Sequence, residues 1–247
     1  MLGDTGLVVD AMRKASRFLQ RDYFELEHLQ ASGSKTSSFC QKACTKVMHT
    51  LHDELKRYYQ TIIFSSDEVK STNFSGKAAL VETLDGLGNL ERALPFFAIM
   101  VTIISNKDGE IVADKAIINL PALNEIYYAE KGRGAWVERH SSNISGASRV
   151  RVSGAQSEQD AVVSGGREQM GKAFKSFKNV RFFDSYTYAL TLLVSGKIDA
   201  LMLETRMISL AGIQLLLLEA GGSTHEKDGL LIASNFKLHD KIKQLLL

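Results

Sequence analysis

The chain has 247 residues, 45% of them hydrophobic and 23% charged, which is enough apolar material to bury a substantial core as one large unit or two closely packed halves. Thirty Lys and Arg against 28 Asp and Glu leave a formal net charge of +2 with the signs interspersed, so no field of the kind that gathers nucleic acid is expected. No run approaches about 18 uninterrupted apolar residues and the N-terminus lacks a basic-then-apolar leader pattern, so the expectation is a cytoplasmic protein with no membrane partner.

Val8, Met12, Ala15, Leu19, Leu26 and Leu29 recur at helical spacing, as do Cys44, Val47, Met48, Leu51, Leu55 and Tyr58. The first sixty residues are therefore predicted as two amphipathic helices, broken at Gly33, Ser34, Ser37 and Ser38. Cys40 and Cys44, the only cysteines, stand four apart and are expected as reduced thiols on one helix face; without further Cys or His nearby they do not make a metal site. His49 and His52 are read as packing or surface residues. The period then changes. Residues 61–64, 79–84 and 96–105 are β-rich, and Asn106-Lys107-Asp108-Gly109 is a turn into a strand over 110–118. A strand over 125–129, the turn Gly132-Arg133-Gly134 and a strand over 135–138 complete residues 1–140 as two helices on a largely antiparallel sheet.

A Ser-, Gly- and Asn-rich stretch from about residue 141 is the expected linker to a second half, residues 141–247, packed with the first as one compact unit. There strands (161–164, 180–183, 200–204) alternate with helices (168–177, 186–195, 208–220), the pattern of an α/β layered structure. Short strands at 223–225 and 230–233 and a terminal helix over 236–247 follow. Lys172, Lys175, Lys178 and Arg181 run at spacing three beside Phe174 and Phe177 and are read as one solvated helix face.

The run Glu82-Thr83-Leu84-Asp85-Gly86-Leu87-Gly88-Asn89-Leu90, followed by Pro95-Phe96-Phe97-Ala98-Ile99, resembles the signature of the inositol monophosphatase family. In that family two aspartates flank a proline and an aliphatic residue, then come glycine, two threonines, asparagine and an aromatic. Further landmarks fall in family order. They are Asn124 through Trp136, the run Val194-Ser195-Gly196-Lys197-Ile198-Asp199-Ala200, Ala211-Gly212, and Leu218-Glu219-Ala220-Gly221-Gly222. The resemblance runs from about residue 60 to the end. It implies an α/β (α+β) fold, the five-layer αβαβα sandwich, and Mg²⁺-dependent hydrolysis of inositol or sugar phosphomonoesters by a metal-activated water. It further implies a homodimer acting on a small phosphorylated polyol.

Carried onto this chain, the family's roles make Glu82, Asp85 and Asp67 the catalytic candidates. Glu82, Asp85, Asp67, Glu68 and the Leu84 carbonyl are the candidate magnesium ligands. The family's glutamate pair falls on Ser65-Ser66 without a gap and on Asp67-Glu68 with a two-residue shift. Gly86 and Gly88 fall at the substrate, while Glu204 is a substrate-hydroxyl contact, a displaced ligand or an exposed strand-end residue. The departures weigh on the other side. Leu87 stands for the water-orienting threonine, Met207-Ile208 for a tryptophan-aspartate pair, and Lys42 for an outer aspartate. Magnesium is held chiefly by negatively charged oxygens, and this set is short of them. Lys42, with Arg206 as a second candidate, is expected to neutralise the remaining carboxylates in place of the metal. The resulting expectation is a family member with weak or absent Mg²⁺ and weakened or lost phosphatase activity. Two alternatives remain open: an active phosphomonoesterase using Asp67 or Glu68, Glu82, Asp85 and Glu204, and a non-catalytic scaffold with a protein partner.

Overall fold

The computed structural model describes residues 4–32, 36–64, 74–107, 109–140, 145–166, 169–205 and 210–246. Two helices open the chain, α1 (Asp4–Ser32) and α2 (Ser37–Leu55), the second starting inside the predicted break. Val8, Met12, Ala15, Leu19 and Leu26 of α1 are fully buried and meet Cys40, Ala43, Val47, Leu51 and Leu55 of α2, so each helix buries one stripe at helical spacing. Burial pushes the Cys40 thiol up to about 11, and both cysteines are free.

The first sheet has seven strands in chain order: β1 (Thr61–Ile63), β2 (Gly76–Asp85), β3 (Ala98–Lys107), β4 (Glu110–Leu120), β5 (Glu125–Glu130), β6 (Gly134–His140) and β7 (Ser145–Val150). The pair β1 and β2 is parallel; the others are antiparallel. Strand β7 lies within the predicted linker, so the first sheet extends past residue 140. Strand β3 starts at Ala98 rather than residue 96, just beyond Pro95, which has no N–H for a ladder.

The short helix α3 (Leu87–Glu91) sits between β2 and β3. The second half contributes β8 (Val162–Gly165), α4 (Met170–Ser176), β9 (Asn179–Arg181), α5 (Tyr186–Val194), β10 (Ala200–Glu204), α6 (Leu210–Glu219), β11 (Gly222–Lys227), β12 (Leu230–Asn235) and α7 (His239–Leu246). Its five strands run in the order β11-β12-β10-β8-β9, parallel through β10, β8 and β9 and antiparallel at the other pairs. The predicted basic stripe is split. Phe177 turns extended and is buried, ending α4, so Lys178 and Arg181 lie beyond the helix.

Period-two alternation assigns the layers. On β3, Ile99, Val101 and Ile103 face the α1–α2 cluster, whereas Ala98 and Met100 join the cluster of α5 and α6. On β10, Leu201 and Leu203 point to that same middle cluster, and Ala200 and Met202 point outward to α4 and α7. The order is therefore helices, sheet, helices, sheet, helices: the αβαβα sandwich. Because α5 is enclosed by sheets on both sides it has no solvent face, and every residue from Thr187 to Val194 is buried. By contrast α7 covers one side only and buries His239, Ile242 and Leu246.

The middle layer lies close on the first sheet. A Cβ added at Gly212 of α6 would fall on Thr102 Oγ1 and 2.6 Å from Met100 Cε, both on β3. Gly212→Ala should thus overpack this contact and destabilise the fold by about 1–3 kcal/mol, read as a lower urea midpoint at unchanged slope. A wild-type midpoint would show that α6 can retreat from β3.

Candidate functional site

The site forms where β2 ends. The ladder to β3 shifts register between Glu82 and Asp85, leaving Thr83 and Leu84 in the irregularity and presenting both carboxylates near the start of α5. The side chains of Leu84 and Leu87 pack against the α1–α2 cluster. Gly86 follows with φ +85°, and a Cβ there would lie 2.5 Å from the Phe96 carbonyl oxygen and 3.0 Å from Ser185 Cβ, so only glycine fits this approach. Buried Asn89 fixes the same turn, its amide donating to the carbonyls of Phe96 (2.8 Å) and Phe183 (2.7 Å).

The carboxylates meet the first turn of α5. Ser185 is its N-cap, accepting from the Tyr188 N–H at 3.2 Å. The Ser185 hydroxyl donates to Asp85 Oδ2 at 2.8 Å, and the Thr187 N–H donates to the same oxygen at 2.7 Å. Asp85 therefore sits at a helix N-terminus, where unpaired N–H groups and the helix dipole favour an anion. Burial nevertheless pushes its carboxyl above the ordinary range; the Thr187 and Ser185 donors pull it back down, and neighbouring Asp184 pushes it up. Beside it, the Tyr186 hydroxyl donates to Glu82 Oε2 at 2.5 Å. Burial, then the charges of Glu82 and Asp85, hold that phenol well above its usual value, so it stays a donor.

Asp85 also opens onto a cavity of about 360 Å³ that runs from α5 across to the end of β10. Glu204 lines the far wall, accepting from the Gln169 amide at 3.3 Å. The structure thus brings Asp85 and Glu204 to one cavity and places Gly86 and Gly88 in the adjoining turn, Gly88 facing the Asp184 carboxylate. Lys42 is elsewhere. It lies on the solvent side of α2, next to buried Ala43, and forms no ion pair among the described residues. The expected neutralisation by Lys42 is replaced by hydroxyl and amide donors of α5. Ser65, Asp67, Glu68, Arg206, Met207 and Ile208 lie outside the described residues.

The residues that sequence reading missed are Ser185, Tyr186 and Thr187. One signal was available, a serine directly before an apolar helical run, which marks an N-cap; nothing local linked it to Asp85.

A magnesium ion needs several oxygen ligands, mostly charged. Here Glu82 and Asp85 each have one oxygen engaged by a protein donor, and residue 87 supplies an apolar side chain directed into the core. Among the described residues no three of His, Cys, Asp and Glu converge on a common point. These residues by themselves do not fit the ion.

A family model described as the inositol monophosphatase family matches residues 5–239. Inositol-1-monophosphatase of Rhizobium meliloti is 27% identical, with 90% of this chain and 85% of the relative covered. That of Caulobacter vibrioides is also 27% identical, covering 97% and 99%. Nus factor SuhB of Escherichia coli is 24% identical over 90% and 85%. In fold, the chain superimposes on the extragenic suppressor protein suhB of Bartonella henselae with a TM-score of 0.77 at 24% identity, covering 98% of each.

The raised Asp85 carboxyl carries a sign for stability. A carboxyl whose folded-state value exceeds its unfolded one contributes stability below the ordinary carboxylate range and loses it as pH rises through the folded value. Asp85→Asn keeps an acceptor for Ser185 and Thr187 and removes the buried charge. Its melting temperature at pH 7 should exceed wild type by about 2 °C or more, with the gap narrowing toward pH 4. Calorimetry across that range would refute this cost by finding the variant less stable at pH 7.

Proposed function

The chain belongs to the inositol monophosphatase family, and on that premise we propose that its family reaction, Mg²⁺-dependent hydrolysis of inositol or sugar phosphomonoesters, is weakened or lost here. The observation that supports this most is the pairing of Asp85 and Glu82 with Ser185, Thr187 and Tyr186. Part of the acceptor capacity of these two carboxylates is thus spent within the protein, and among the described residues no third carboxylate joins them to complete an ion's ligand set. Leu87 adds a second loss, since it has no hydroxyl to hold the attacking water. Removing one such oriented group commonly costs about 10²–10³ in rate.

One observation favours the alternative, an active phosphomonoesterase using Asp67 or Glu68, Glu82, Asp85 and Glu204: Glu204 and Asp85 share a cavity. The scaffold alternative draws on one relative being named a Nus factor rather than a phosphatase. Either way the reading takes a homodimer, a cytoplasmic location and no nucleic-acid partner. Among the described residues no helix is long and apolar enough to cross a membrane.

Phosphate release from inositol 1-phosphate in millimolar Mg²⁺ is the direct test. Turnover should fall at least about 10² below that of an active family member assayed alongside, and turnover within tenfold of it would sink the proposal. Leu87→Thr combined with Ile208→Asp returns the water-orienting hydroxyl and one metal-binding carboxylate of the family pattern. Calorimetric titration should then show tighter Mg²⁺ binding than in the unaltered chain; equal affinities would mean that Asp67, Glu68 or Glu204 already completes the set.

A further inference from the structure

The first sheet ends in an open strand, β7. It pairs with β6 on one side only, and Gly146, Ala147, Ser148 and Arg149 are all exposed. Every second residue of this edge therefore turns an N–H and a C=O outward with no strand to receive them. The open edge is short. Past Val150 the Val152 N–H donates to the Ala220 carbonyl at 3.1 Å, which leaves Ser145–Val150 as the accessible length.

Register decides what this edge presents, because residues directly opposite one another share a face of the sheet. Val101, Ile117, Tyr128, Trp136 and Arg149 are successive partners of this kind from β3 to β7. Val101 and Ile117 are buried under α1 and α2, and Tyr128 packs at the margin of that cluster, whereas Trp136 is half-buried and Arg149 exposed. The two helices thus stop short of β6 and β7. Val150 and Val152 pack on the middle layer, so alternation sends Arg151 to the same outer face as Arg149. Arg149 lies along the sheet: a Cβ added at Gly134 of β6 would fall 2.8 Å from its Nη2. The carboxylates of this face are already engaged, Glu138 with Arg13, and Glu130 with Lys115 (3.1 Å) and Arg133 (3.4 Å). Arg149 and Arg151, both exposed, form no ion pair among the described residues.

We propose that β7 takes up an extended acidic segment of a partner protein as an eighth strand, with carboxylates on alternate residues bonded to Arg149 and Arg151. Residues two apart on a strand stand about 6.8 Å apart, so the spacing of the two arginines matches that of every second residue on the incoming strand. Backbone groups of the edge supply the ladder, and the arginine forks select its charge. A second copy of β7 is a poor occupant. Residues 145–150 contain no Asp or Glu, so self-pairing brings further arginine to the edge and no counter-charge. The surface lies five strands from β2, which carries Asp85, and its use does not depend on whether the family reaction survives.

The test uses the full chain at physiological ionic strength and a blocked peptide that alternates threonine and glutamate. Its comparators are the same peptide with lysine for glutamate, two acidic versions N-methylated at every glutamate or at every threonine, and an oligouridylate of equal length. Trp136, the only tryptophan of the chain, is the cross-strand partner of Arg149, so its fluorescence reports occupancy while calorimetry gives the affinity. The acidic peptide should bind saturably and at least about tenfold more tightly than the lysine peptide. One methylated version should lose at least about tenfold, because one set of N–H groups faces β7. Arg149→Gln with Arg151→Gln should weaken the acidic peptide about tenfold at an unchanged melting temperature. If that pair fails to fold, Arg151→Gln alone should weaken it about threefold. Absence of saturable binding, equal binding of acidic and basic peptides, full binding by both methylated versions, indifference to the arginine substitutions, or tighter binding of the oligouridylate would each overturn the proposal.

Discussion

A single buried carboxylate, Asp85, joins the first sheet to the middle helices. It ends β2, yet its Oδ2 is held by Ser185 and Thr187 at the start of α5. Much of the neighbouring geometry follows from bringing these two chain ends together. Gly86 must reverse the chain against the Phe96 carbonyl, and Asn89 must satisfy the Phe96 and Phe183 carbonyls that the reversal buries. The arrangement resembles a helix cap supplied from another strand: the carboxylate answers the Thr187 N–H, which α5 would otherwise leave orphaned in the core, and holds the Ser185 cap in place.

A second carboxylate works in the opposite direction at the far end of the middle layer. Glu219, closing α6, accepts from the Gly132 and Gly134 N–H groups at 2.6 Å each, tying the helix to the turn between β5 and β6. Between these two points the contacts of α5 and α6 with both sheets are apolar and non-directional. Dispersion and burial supply most of the stabilisation there, while the two carboxylates fix how the layers are registered.

The same economy bears on the chemistry. Donors at the start of α5 hold one oxygen of Asp85 and one of Glu82, so these side chains serve the packing of the layers as well as lining the candidate site. Burial raises the Asp85 carboxyl even with two donors in place.

Local patterning by itself determined the two N-terminal helices, the alternating strands and the order of α and β in the second half. The ordered landmarks from Glu82 to Gly222 further determined the five layers. These are legible because burial imposes a period of 3.6 or 2 on nearby residues, and because tight turns demand glycine at fixed positions. Tertiary structure alone decided the rest. Ser185, Tyr186 and Thr187 stand 100 to 104 residues from their carboxylate partners, a pairing that depends on how layers stack and not on any local period. Lys42 was aligned near the site, but on a helix one position is a turn of about 100°. Ala43 takes the inward place, and Lys42 faces water. Strand β7 looked like linker because its Ser and Gly residues have low strand propensity, and pairing with β6 overrides that preference.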